Sequence, residues 1–511
     1  MLKTLAAVCV LLTGAGMASA SVKVDGGKIA GVEGAEFTVF RGIPFAAPPV
    51  GELRWKSPQP VTAWSGVKPA KRFAPACMQS GVSMPGETAP RTSEDCLYLN
   101  IWTPARSAHA RLPVMVFIYG GGFTNGNAAM PLYWGDRLAR RGVIVVTFGY
   151  RLGALGFLAL PALTQESPNH ASGDYALQDQ IAALAWVKRN IGGFGGDASR
   201  VTIFGQSAGG MSVSLLLASP LAKGLFSGAV GESGGVFEPL QLAPSWLLNN
   251  AEKAGAAYQA SLGVHSLAEL RRLPADRLLG GTVAHPVVDG YVLPRSPYDV
   301  FAAGGQIDVP MLVGSNEEEA RSLVDLSKVR AVSFETDIAQ AWGPLPPQLL
   351  QAYPHATDDE ARVARAAFER DLRFGWDMWT WARLQAATGK SPVYYYHFAQ
   401  KPPFPEGTVY AGWGASHFAE LWYVFDHLDQ EAWAWSPADR ALADTMATWW
   451  TNFAKTGDPN RDGVPEWRAF DGRGGQVMHI QAPVVMGGVA NLQGLLVFDG
   501  VYKSVRDSSA P

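Results

Sequence analysis

The chain has 511 residues, 48% of them hydrophobic and 17% charged, with a formal net charge of −3 at pH 7. That length is enough for a large core, and the composition is that of an ordinary globular protein. No basic face forms, so nucleic acid is not an expected partner, and no repeat or low-complexity segment is present.

Residues 1–20 read as a signal peptide. Lys3 supplies a positive start, Leu5 to Leu12 an apolar run, and Ala18-Ser19-Ala20 a small-residue cleavage site. The apolar run is too short to span a bilayer, which takes about 20 helical residues. Cys9 lies inside that run rather than at the cut, which disfavours a lipid anchor. No later stretch is apolar for about 18 residues, so no membrane span is expected after cleavage. Export to the periplasm or the medium would leave Cys77 and Cys96, and two cysteines in an exported chain favour one disulfide.

Short strands are expected first, at Val22–Val24 and Phe37–Phe40, before a proline-broken stretch from Pro44 to Pro60. Leu97–Trp102, Val114–Ile118 and Val143–Phe148 are largely apolar runs, as suits central strands covered on both faces. A helix over Pro131–Arg141 and an amphipathic one over Asp179–Asn190 fall between or after them. Val201–Phe204 and Gly228–Val230 are further strands, followed by helices over Ser245–Leu262 and Ser266–Leu273. Val309–Val313 and Val393–Phe398 read as strands, and Ala438–Thr456 as a helix stopped by Gly457 and Pro459. Strands alternating with helices predict an α/β architecture with a mostly parallel, doubly wound central sheet and helical insertions. No linker divides residues 21–511, which read as one elaborated domain of unspecified oligomeric state.

The segment Val201-Thr-Ile-Phe-Gly205-Gln206-Ser207-Ala208-Gly209-Gly210 runs a strand into Gly-x-Ser-x-Gly and then into a helix-compatible run to Ala218. Such a turn presents a serine nucleophile in strained geometry, with the next helix pointing its N–H groups at the site. The motif alone is weak, for Gly231-Glu232-Ser233-Gly234-Gly235 also matches it. Context separates them, because Ser233 meets two glycines and then Pro239, where no useful helix fits. Gly120-Gly121-Gly122 follows another strand and offers backbone N–H groups for an oxyanion. A base and an orienting acid should follow in the order Ser, Asp or Glu, His. His397 sits in an expected strand and His417 in a glycine-rich loop, while Glu317, Glu318 and Glu319 together follow a strand. Spacing does not choose among them.

At these residues the chain resembles the type-B carboxylesterases, the α/β-hydrolase family that includes cholinesterases and bacterial para-nitrobenzyl esterases. The match covers nearly all of the mature chain. It runs through Phe40-Arg-Gly-Ile-Pro-Phe-Ala46, Ser93-Glu-Asp-Cys-Leu-Tyr-Leu-Asn100, Tyr119-Gly-Gly-Gly-Phe123, Tyr150-Arg-Leu-Gly-Ala-Leu-Gly-Phe157, Phe194-Gly-Gly-Asp197, the segment around Ser207, and Asn452-Phe-Ala-Lys-Thr-Gly-Asp-Pro459. The resemblance implies a serine carboxylic-ester hydrolase with an acyl-enzyme intermediate. Ser207 is then the nucleophile, His417 the base within His-x-x-Glu420, and Glu319 the acid five residues after Gly314. The oxyanion donors are the N–H groups of Gly121, Gly122 and Ala208.

Three positions depart from the family pattern. Gln206 stands where Glu is frequent, Ala320 where Gly is frequent, and the loop Met78 to Asp95 lacks the tryptophan that cholinesterases use for a choline cation. An amide, lactone or thioester substrate, or a silent binding relative, are the alternative readings. Gly389-Lys390-Ser391 lacks the earlier P-loop glycine, having Leu384 there, and no metal-ligating cluster is evident, so neither cofactor nor metal is expected.

Overall fold

A computed structural model describes residues 21–508, apart from Ser83, Pro85, Gly86, residues 281–284, Pro344 and Asp462. The expected signal peptide therefore lies outside the described residues.

An eleven-stranded sheet forms the centre of the molecule. Its strands in chain order are β1 (Val32–Glu33), β2 (Thr38–Pro44), β3 (Tyr98–Thr103), β4 (Leu112–Ile118), β5 (Ile144–Phe148), β6 (Gly196–Gln206), β7 (Gly228–Glu232), β8 (Met311–Asn316), β9 (Val393–Phe398), β10 (Val477–Ile480) and β11 (Val485–Gly487). In space the order is β11-β10-β9-β8-β7-β6-β4-β5-β3-β2-β1. The seven strands from β10 across to β5 pair in parallel, and the pairs beyond them at either edge are antiparallel. The apolar runs explain this centre. Every residue of β5, β7, β8 and β9 is buried, so these strands need cover on both faces.

The side chains of β7 show which helices provide that cover. Successive strand residues point to opposite faces. A Cβ on Gly231 would strike the Trp381 ring, whereas the neighbouring Glu232 bonds Trp450. The helices Trp376–Thr388 and Pro437–Thr456 therefore pack on opposite faces. Gly205, register partner of Gly231, meets the helix Ala208–Ala218 on the Trp381 side.

The expected β8, by contrast, starts two residues late and runs three further, to Asn316, and β6 extends well beyond Val201–Phe204 at both ends. The helix expected over Pro131–Arg141 is broken into a turn at Pro131–Tyr133 and a helix at Asp136–Arg140. Gly135 lies at the break, so close to Val145 that a Cβ would come within 2.4 Å of its side chain. Packing against β5 thus overrides local helix preference. The expected Ser245–Leu262 helix begins only at Leu248, after a short turn at Pro244–Trp246. Ser266 lies outside its helix, Leu267–Arg272, and caps it, with Glu269 closing a reciprocal box.

Cys77 and Cys96 form a disulfide, with Cα atoms 5.0 Å apart and a sequence separation of 19. Both cysteines are buried beside β3, which Cys96 shortly precedes. Closing a loop of this length stabilises the folded chain by on the order of 3 kcal/mol. The Cys77→Ser, Cys96→Ser double variant is expected to lose about that much in urea unfolding, and an unchanged midpoint would contradict it.

Candidate active site

The site begins where β6 ends. Ser207 has φ 58° and ψ −126°, a sparsely populated conformation for a residue with a side chain. Such backbone costs about 1–3 kcal/mol and persists only where its surroundings fix it. Here the Ser207 N–H donates to the Glu232 carbonyl at 2.9 Å, and the Ser207 carbonyl accepts from Met211 N–H at 2.9 Å. Gly209 allows the turn to close, since a Cβ there would lie 1.9 Å from the Ile118 carbonyl oxygen.

Ala208 is the first residue of the following helix, so its N–H has no intrahelical acceptor. Across from it, Gly121 and Gly122 adopt φ of 113° and 61°, and their N–H groups have no acceptor among the described residues. Ser207, Ala208, Gly121, Gly122 and His417 all line one cavity of about 540 Å³.

His417 is 2% exposed, and its Nδ1 lies 2.6 Å from Glu319 Oε2. Glu319 is wholly buried, and its Oε1 accepts the Asn316 N–H at 2.8 Å. The other two carboxylates of the run go elsewhere. Glu317 is exposed, and Glu318 binds Arg321 Nε at 2.8 Å and the Ala415 N–H at 3.0 Å. His397 is absent from the cavity wall. It lies in β9 facing His479, and burial pushes its imidazole down to about 3. Ser233 is buried beyond the end of β7, and it is absent from the cavity wall.

One ring beside the histidine, that of Phe374, was not singled out from the sequence. Phe374 stacks on the His417 ring at 4.5 Å between centroids and 15° between planes. It comes from a π turn, Asp371–Gly375, that joins the helices Asp358–Arg370 and Trp376–Thr388. π turns are invisible to a 3.6-residue periodicity, although they gather at functional sites. Gln206 Nε2 lies 3.3 Å from His417 Nε2. Glu232 and Glu420 are wholly buried beside Glu319. Burial raises the Glu232 carboxyl to about 8 against the opposing Trp450 hydrogen bond. Burial, and then the nearby Glu319 and Glu232, also hold Glu420 well above the usual carboxylate range.

A model of the "Carboxylesterase family" matches residues 18–493. The chain belongs to the carboxylesterase family. A fumonisin B1 esterase of Sphingopyxis macrogoltabida is 39% identical over 463 residues, spanning 88% of this chain and 84% of the relative. A para-nitrobenzyl esterase of Bacillus subtilis (strain 168) is 34% identical over 473 residues, 87% and 91% of the two chains. A solved thermophilic PNB esterase superposes with a TM-score of 0.82 at 32% identity, covering 94% of this chain and all of the other. The fold is thus the α/β-hydrolase fold, and this carboxylesterase-family chain is an ester-hydrolysing serine hydrolase.

The raised Glu232 carboxyl has a consequence for stability. Unfolded, it ionises near its ordinary 4.5, whereas folded it holds its proton up to about 8. The folded state binds more protons across that window, so this group's contribution to stability falls as pH rises through it. Glu232→Gln replaces the neutral acid with a neutral amide and removes the effect. Urea unfolding at about pH 5 and pH 8 is expected to show a smaller decline for Glu232→Gln than for the wild type. An equal decline would contradict the assignment.

Proposed function

We propose that Ser207, His417 and Glu319 are the catalytic triad of this ester hydrolase, with the N–H groups of Gly121, Gly122 and Ala208 as its oxyanion hole. The observation that carries the reading is the 2.6 Å contact of His417 Nδ1 with Glu319, on a histidine that shares one cavity with Ser207. With Nδ1–H donated to Glu319, Nε2 is the nitrogen left for proton transfer.

The reaction then has two halves. Nε2 takes the proton of Ser207 as Oγ attacks the ester carbonyl, and the three N–H groups receive the developing oxyanion. His417 next protonates the leaving alcohol, and the acyl group stays on Ser207. Water, deprotonated by His417, attacks that acyl group, and the acid leaves as the proton returns to Ser207. Glu319 keeps the imidazole in the required tautomer and stabilises its cationic form. We also read residues 1–20 as a cleaved leader and residues 21–511 as one catalytic domain. The Cys77–Cys96 disulfide supports export, to the periplasm or beyond, since such bonds persist in oxidising compartments.

A fluorophosphonate is expected to label Ser207 alone, and Ser207→Ala should lower turnover by roughly 10⁴-fold or more. Ser233→Ala should keep much of the activity. An adduct on Ser233, mapped by mass spectrometry, would overturn the reading.

Glu319→Gln is expected to lower kcat steeply, because an amide does not stabilise the imidazolium. Glu318→Gln should cost far less. The reverse ranking in folded variants would show that the acid is misassigned.

A further inference from the structure

We propose that the catalytic cavity selects esters bearing an additional free carboxylate, and that the guanidinium of Arg373 binds it. The inference rests on the reading of Ser207 and His417 as the reacting centre. Among the described residues, Arg373 is the one lysine or arginine on the wall of their cavity. It belongs to the π turn Asp371–Gly375, in which Leu372, Arg373 and Phe374 all reach that wall. Phe374 is the ring stacked on His417. Consecutive Cα atoms are about 3.8 Å apart, so the Arg373 side chain departs from beside the group that covers the base.

The arginine is held at its stem and free at its tip. Nε donates to Glu369 at 2.8 Å, and the guanidinium carbon lies 4.4 Å from the centre of the Trp342 ring. Its two Nη atoms have no acceptor among the described residues, and the side chain is 30% exposed. An edge with two parallel donors suits a carboxylate, and stacking on an indole pre-orders it.

The surrounding charges leave this cation uncompensated. Glu369 is wholly buried and already accepts from Arg365 at 2.7 Å and from the Trp342 N–H at 3.1 Å. One carboxylate faces two guanidiniums, so a positive charge remains. The adjacent Arg370 is paired with Asp371. The carboxyl on the cavity wall, Glu238, is hydrogen-bonded to the buried Asp377, and Arg506 lies close to both. Two carboxyls in contact share a proton rather than both ionising, so this pair and Arg506 together come close to neutrality. Much of the remaining wall is apolar, with Leu240, Leu242, Trp246 and Leu323 among it. A mostly apolar chamber with one free guanidinium fits an apolar ester with an anionic end.

Two substrate pairs test this, one for each half of the ester. 4-Nitrophenyl hydrogen glutarate is compared with 4-nitrophenyl valerate, and 4-(butyryloxy)benzoate with phenyl butyrate. In at least one pair, Arg373→Met should lower the acidic-to-neutral ratio of kcat/KM by at least about tenfold, the scale of one charge-assisted hydrogen bond. The loss should lie in KM, and Arg373→Lys should restore part of it. Glutarate should bind the Ser207→Ala protein in calorimetry, and the added Arg373→Met change should abolish that binding. Ratios unaltered in both pairs, or glutarate binding that survives the loss of Arg373, would overturn the proposal. Equal loss on acidic and neutral esters would also overturn it, as the mark of a structural arginine. The calorimetry does not depend on turnover, so failure of the triad reading and failure of the anion site are distinguishable.

Discussion

Everything at this site depends on how closely one helix approaches the sheet. The helix Ala208–Ala218 meets β4 and β6 at a distance that no side chain survives. A Cβ at Gly205 would lie 2.5 Å from Gly209, and one at Gly120 would lie 2.7 Å from the Gln206 carbonyl oxygen. That approach forces the chain to reverse within one residue, and the residue is Ser207, with its positive φ. The same approach brings the helix N-terminus and the Gly121–Gly122 turn to the serine from two sides. Strain at one residue and donors for an anion are thus products of a single packing constraint. The glycines are needed for the absence of Cβ atoms as much as for conformational freedom.

Beneath the histidine the problem is charge. Glu232, Glu319 and Glu420 are all wholly buried, and three ionised carboxylates so placed would repel one another at low dielectric. The surroundings distribute the burden unequally. Glu319 accepts from Asn316 N–H and from His417, so its oxygens have donors. Glu420 Oε1 and Glu232 Oε2 have none among the described residues, and both acids are held towards their neutral forms. The carboxylate that touches the imidazole is the one whose two oxygens both have donors. Gln206 fits this arrangement. An acid there, 3.3 Å from His417 Nε2, would add a fourth carboxyl to the group, whereas the amide adds a dipole and no charge.

The sheet was legible in the sequence because burial on both faces leaves uninterrupted apolar runs. Val393–Phe398 is read to the residue, and β4 and β5 to within two. The turn at Ser207 was legible for a different reason, as glycines at two fixed offsets are a steric signature. Choosing Glu319 from three adjacent carboxylates was not possible from composition. A 3-10 turn beginning at Glu319 aims it inward while Glu318 turns to Arg321 and Lys401, and that rotation has no local signal. The helix Asp358–Arg370 carries its own signals in the sequence. Thr357 and Glu360 form a capping box there, and Ala361, Ala364 and Phe368 mark one buried face.

The turn that follows this helix is where the cavity acquires its character. The donors of the proposed oxyanion hole come from the strand ends and the turn at Ser207, whose sequence is constrained by contact with backbone. Arg373 and Phe374 come from a π turn between two helices, and Trp342 from the end of another. These are side chains on insertions, free to vary without disturbing the approach of helix to sheet. The physical division is between a reacting centre fixed by backbone crowding and a chamber set by exchangeable side chains. Glycines can therefore disclose the chemistry of such a chain, whereas its selectivity must be sought in the charge and shape of residues that no backbone constraint dictates.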